Sequence, residues 1–130
     1  MRPFSWRRFL SPGVVAIVLV LAGSAWAGDA VPVVPGLSGF GAQTPAGRGG
    51  DIYRVTSLAS QGEGTLRRAL EAKGPRTILF EVGGVIDLEG ESIELRHPYI
   101  TVAGQTAPEP GITLINGGIT IKSHDVLIQH

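Results

Sequence analysis

Four acidic residues, Asp87, Glu89, Glu91 and Glu94, fall within eight consecutive positions and form the densest acidic cluster of the chain. Carboxylate oxygens at that density are the donors a hard cation such as calcium prefers. The cluster lacks the glycine and the distal glutamate of an EF-hand loop. Acids at alternate positions also describe a solvated bend whose outward charges discourage strand edges from pairing, and that is the expectation here. His97, His124 and His130 show neither an i, i+4 pair nor HExxH spacing, so they form no zinc motif. His97 precedes Pro98 and His124 precedes Asp125, both turn contexts, whereas His130 ends a strand-like run and could face a groove or an internal row.

Gly47-Arg48-Gly49-Gly50 is the nearest approach to a phosphate-cradling loop. It lacks the lysine of the GxxxxGK[ST] pattern and follows no strand, so a folded loop with Arg48 donating to loop carbonyls is expected instead. Arg67-Arg68 could touch an acidic polysaccharide, but on a short helix they read as a solvated face. Asn116-Gly117-Gly118 could begin an asparagine ladder between stacked strands, although a single asparagine reads as a turn residue. Gly118 is neither Ser nor Thr, so the tripeptide is not a glycosylation acceptor. None of these sets assigns a catalytic residue or a metal ligand to the chain, and substrate-binding residues stay undefined.

The elements that must position such residues recur in a fixed order. Ile78-Leu79-Phe80-Glu81-Val82, Val85-Ile86-Asp87-Leu88 and Ser92-Ile93-Glu94-Leu95 make one round. Tyr99-Ile100-Thr101-Val102-Ala103, Ile112-Thr113-Leu114-Ile115 and Gly118-Ile119-Thr120-Ile121-Lys122 make the next, and Val126-Leu127-Ile128-Gln129-His130 opens a third. Ile78 to Ile100 is 22 residues, Ile100 to Val126 is 26, Ile86 to Thr113 is 27 and Ile93 to Ile119 is 26. Three alternating segments per period, with glycines at the bends, predict an all-β parallel β-helix of about two to three rungs, an incomplete solenoid. Asp51-Ile52-Tyr53-Arg54-Val55-Thr56-Ser57-Leu58 alternates as a strand. Thr65 is the expected N-cap of a helix over 66–73, with Leu66, Ala69, Leu70 and Lys73 on one face and Gly74-Pro75 ending it. A stack of rungs has an open apolar end, so this helix is expected to cap it.

Composition narrows the class. The 130 residues include 19 glycines, no cysteine, and 11 basic against 11 acidic side chains. Without cysteine the chain has no disulfide or thiolate metal site and must cohere by packing and strand pairing. Residues 1–27 have the form of a signal peptide: Arg2, Arg7 and Arg8, then an apolar run over 13–22, then Ala25-Trp26-Ala27 as the cleavage site. The expected destination is secreted or periplasmic, by the general secretory route, since Arg7-Arg8-Phe9-Leu10 matches a twin-arginine signal imperfectly. Removing those three arginines leaves 8 basic and 11 acidic residues, net −3, with no basic stripe for nucleic acid. Residues 28–35 read as a Pro/Val linker and 36–130 as the N-terminal cap and first rungs.

Gly39-Phe40-Gly41-Ala42, Gly47-Arg48-Gly49-Gly50, Tyr53-Arg54-Val55-Thr56-Ser57-Leu58 and Gly62-Glu63-Gly64-Thr65-Leu66-Arg67-Arg68-Ala69-Leu70 stand in one order along the chain. Arg76-Thr77-Ile78-Leu79-Phe80, Gly84-Val85-Ile86-Asp87-Leu88 and Ile100-Thr101-Val102-Ala103-Gly104-Gln105-Thr106-Ala107-Pro108 continue it. The ordered set resembles the N-terminal portion of secreted pectate lyases, with Ala46 where another glycine is expected. The resemblance implies a right-handed parallel β-helix that cleaves polygalacturonate by β-elimination, with calcium acidifying the C5 proton and an arginine removing it. In that family the calcium-binding aspartates and the arginine base come after the stretch matched here, so no catalytic residue is carried over. This chain alone is expected to be inactive and to hold no calcium, its partner when complete being pectate and its state monomeric. The alternatives are a non-enzymatic β-helix module for polysaccharide binding or surface scaffolding, and another carbohydrate-active enzyme such as a pectin lyase. A binding module would need aromatic platforms, and Phe40, Tyr53, Phe80 and Tyr99 occupy positions expected to be buried.

Overall fold

The computed structural model describes residues 41–130. The expected signal peptide 1–27, the linker 28–35 and residue Phe40 lie outside the described residues. Among the described residues eight strands run in chain order: β1 Asp51–Val55, β2 Arg76–Phe80, β3 Gly84–Asp87, β4 Ile93–Leu95, β5 Ile100–Ala103, β6 Ile112–Ile115, β7 Ile119–Ile121 and β8 Val126–Gln129. One helix, α1 Leu66–Glu71, lies between β1 and β2, and a 3-10 turn, Gly104–Thr106, follows β5.

Every strand pairing is parallel. The sheets are β1-β2-β5-β8, β3-β6 and β4-β7, so the chain visits three faces in turn and returns to the first one layer down. That is the stacked-rung solenoid the repeats predict. Side chains alternate across each face, as in β2, where Arg76, Ile78 and Phe80 point inward and Thr77 and Leu79 are less buried. The interior is a single cluster containing Val55, Leu70, Ile78, Ile86, Ile93, Leu95 and Ile100. Each such side chain, withdrawn fully from water, contributes about 1.5–3 kcal/mol.

Two of the predicted repeat distances change. Arg76 pairs with Ile100, an offset of 24 residues rather than the 22 read between Ile78 and Ile100. Ile86 pairs with Leu114, an offset of 28 rather than 27 to Thr113. In the first case the strand begins two residues earlier, on an arginine that no apolar pattern marks as an inward position. In the second, Thr113 faces outward, and alternation places Leu114 beside Ile86. Ile93 with Ile119 and Ile100 with Val126 keep the predicted 26.

The helix lies against β4 and β1, with Leu66, Ala69 and Leu70 buried. Thr65 caps it as expected: its hydroxyl donates to the Gly62 carbonyl at 2.7 Å and accepts from the Arg68 backbone N–H at 3.4 Å. It ends at Glu71, so Lys73 lies beyond it and is exposed rather than on its apolar face. Its last carbonyls are taken by Arg76, which is 0% exposed. Arg76 Nε donates to the Ala69 carbonyl at 2.9 Å, one terminal nitrogen to Leu70 at 2.6 Å and the other to Gly74 at 2.7 Å. A guanidinium has no acceptor function and several donors in a fixed fork, which matches the orphan carbonyls of a helix C-terminus.

Candidate functional site

Residues 41–50 form a strap that crosses the outer face of the four-stranded sheet. The Thr44 hydroxyl donates to Asp125 Oδ1 at 2.8 Å, in the turn before β8. The Gly47 N–H donates to the Thr101 hydroxyl at 3.0 Å, and the Thr77 hydroxyl donates to the Gly47 carbonyl at 3.4 Å. Thr77 and Thr101 are register neighbours on β2 and β5, so one outward threonine row anchors the strap. The glycines allow the close approach. A Cβ on Gly47 would stand 2.0 Å from the Arg76 carbonyl oxygen, and one on Gly50 would stand 2.0 Å from that of Pro75. Ala46, where a further glycine was expected, is buried with φ +45. Arg48 bonds to the Pro45 carbonyl through its backbone N–H, and its side chain is exposed, with no hydrogen bond from its guanidinium among the described residues.

The acidic cluster does not converge on one point. Asp87 accepts from the Glu89 backbone N–H at 2.8 Å and from Asn116 Nδ2 at 3.0 and 3.1 Å. Those bonds hold its carboxyl below the usual carboxylate range, the Glu89 N–H first and the Asn116 amide second. Glu94 is bridged by Lys122 from the next rung and by Arg96, which depress its pKa in that order. Glu91 faces Arg67 at 3.6 Å. Among the described residues no three metal-ligating side chains gather at one point. Asp87, Glu91 and Glu94 are thus taken up by a backbone N–H and an amide, by Arg67, and by Lys122 with Arg96.

Arg67 corrects the expectation of a solvated face. Its side chain is only 13% exposed, lies 3.7 Å from Glu71, and donates through Nε to the Ser60 carbonyl at 3.2 Å. It ties helix, preceding loop and bend together, while Arg68 is exposed. His124 Nδ1 contacts Asp125 Oδ2 at 2.7 Å, and its ring meets Tyr99 edge-on with centroids 5.5 Å apart. His124 first and the Thr44 hydroxyl second lower the pKa of Asp125. His97 is partly buried, and His130 is exposed beside the apolar end of the stack rather than in a row. Phe80 is buried as expected, but Tyr53 is only half-buried, and Tyr99, at a bend with φ +64, is exposed.

Sequence reasoning missed Arg76 and the strap contacts. An arginine opening an apolar strand directly after Gly74-Pro75 is the one signal that could have marked a helix-capping cation. Burial pushes its guanidinium below its ordinary pKa, and Tyr53 opposes the shift.

Three parallel sheets closing around one apolar interior define a partial parallel β-helix. No family model matches the chain. It is 44% identical over 91 residues to the probable pectate lyase C of Emericella nidulans, covering 70% of this chain and 21% of that protein. The probable pectate lyase C of Aspergillus fumigatus is 38% identical over 109 residues, 84% of this chain and 25% of its own. Pectate lyase 5 of Ambrosia artemisiifolia is 34% identical over 110 residues, 81% of this chain and 26% of its own. Over most of its length the chain is thus similar to part of the pectate lyases. It spans about a fifth to a quarter of the length of the curated relatives it matches.

Proposed function

We propose that the chain is the capped opening of an exported pectate lyase, supplying the end cap and first rungs on which a catalytic region is stacked. The observation that carries this reading is the 44% identity to a probable pectate lyase over 91 residues, 70% of this chain. The whole protein then cleaves polygalacturonate by β-elimination. The C5 proton is removed, the bond from C4 to the glycosidic oxygen breaks, and a C4–C5 double bond remains on the new non-reducing end. In this reading calcium and the base are held by residues other than 41–130, where no three metal-ligating side chains gather. The substrate is pectate, and the complete protein is a monomer outside the cytoplasm.

A hybrid protein tests the proposal. Residues 41–130 replace the aligned stretch of the Emericella nidulans relative, and unsaturated oligouronides are followed by ultraviolet absorbance in polygalacturonate with calcium. The hybrid should release them at a rate within about tenfold of its parent, a barrier change of about 1.4 kcal/mol. The isolated 130-residue chain should release none. A hybrid that folds but stays silent beside an active parent sinks the reading, as does product from the isolated chain.

A further inference from the structure

Asn116 is the only asparagine in the sequence, and the bend between β6 and β7 dictates both it and its successor. Its φ is +51, a left-handed conformation that glycine, asparagine and aspartate tolerate best. Its carbonyl accepts from the Gly90 N–H at 2.7 Å, one of the bonds joining this bend to the rung before it. A Cβ on residue 117 would stand 2.5 Å from the Glu91 carbonyl oxygen and 2.8 Å from Leu88 Cβ, so that position admits only glycine. The stacking of two bends therefore writes an Asn-Gly pair, and both residues are exposed.

We propose that Asn116 is a site of spontaneous deamidation created by the fold. Asparagine side-chain amides are thermolabile, and a glycine following one leaves its backbone nitrogen unhindered. After losing its proton to solvent, the Gly117 nitrogen attacks Asn116 Cγ. The N–Cγ bond forms, the Cγ–Nδ2 bond breaks, and Nδ2 takes a proton from solvent and leaves as ammonia, giving a five-membered succinimide. Water then opens either imide carbonyl to yield aspartate or isoaspartate. The structure also fixes the consequence. Nδ2 now donates to both Asp87 oxygens, at 3.0 and 3.1 Å, and an oxygen in its place sets two carboxylates against each other. Isoaspartate further reroutes the backbone through the side chain and turns the carbonyl that Gly90 uses into a charged carboxylate displaced from the main chain.

The folded chain and a urea-unfolded sample are held at mildly alkaline pH and raised temperature, then mapped by peptide mass spectrometry. In the folded sample the peptide containing Asn116 should gain the mass of amide-to-acid conversion and split into aspartate and isoaspartate forms, with the urea midpoint falling as conversion proceeds. Asn116→Asp alone should lower the midpoint, and Asp87→Asn with Asn116→Asp should recover most of that loss. Asn116 intact in the folded chain while the unfolded sample converts overturns the proposal. So does conversion, or Asn116→Asp, with no change in midpoint.

Discussion

Arg76 donates to the Leu70 carbonyl at 2.6 Å, so the first residue of β2 closes the last turn of α1. Among the described residues no carboxylate pairs with this buried cation; three backbone carbonyls and the negative end of the helix face it instead. Replacing it leaves the Ala69 and Leu70 carbonyls buried without donors, at about 1–3 kcal/mol each. Arg76→Ala should therefore lower unfolding free energy by about 3 kcal/mol or more in urea titration. Arg76→Lys should recover only part, because an ammonium cannot reproduce the fork. An Arg76→Ala midpoint within error of the parent would show that the cap is held elsewhere.

The strap makes a second, steric prediction. Gly47→Ala forces a methyl into the Arg76 carbonyl, and overpacking against backbone costs about 1–3 kcal/mol. Gly118→Ala, with open space around the new carbon, should stay within about 0.5 kcal/mol. Thermal melts of the two variants side by side separate close approach from generic loss of glycine.

Acid should loosen the bends before it touches the core. Asp87, Glu94 and Asp125 all have folded pKa values below their ordinary ones. Their contribution is thus fully present above the unfolded carboxylate range and lost as pH falls through the depressed folded values. The urea midpoint should drop on acidification, and Glu94→Gln should flatten that dependence. Added salt should weaken the Glu94 part most, since its partners are exposed cations. A midpoint independent of pH through the carboxylate range would refute the assignment.

The last rung carries an aggregation prediction. Leu95 is 0% exposed, whereas its register partner Ile121 is 49% exposed; Val102 is 5% exposed, whereas Ile128 is 51% exposed. Ile128 also lines an apolar opening of about 410 Å³. Together with unpaired strand edges these isoleucines should make the isolated chain self-associate as its concentration rises. Ile121→Thr with Ile128→Thr should reduce light scattering. Equal scattering from parent and double variant would place the sticky surface elsewhere.

The rungs were legible because apolar alternation has a period of its own, and Ile93, Ile100 and Ile119 sit where that period places them. Thr65 was legible because a hydroxyl before a helix has a specific backbone donor to satisfy. Arg76 was not, since a charged residue facing the core is explained only by the carbonyls of a helix several residues earlier. The acidic cluster was correctly read as a bend, but its partners were hidden: Asn116 and Lys122 reach Asp87 and Glu94 from the following rung. Arg67 misled in the same way, because its neighbours come from loop, helix and bend together.

The unequal offsets of 24, 26 and 28 residues between stacked strands carry a consequence for how such a chain can vary. Strand pairing fixes only which residues lie above one another, so extra length gathers in the corners without disturbing that alignment. Doubling a flexible corner costs about 0.6 kcal/mol. A corner can therefore lengthen into a projecting arm while the stack beneath stays as it was, letting the outer contour diversify separately from the frame.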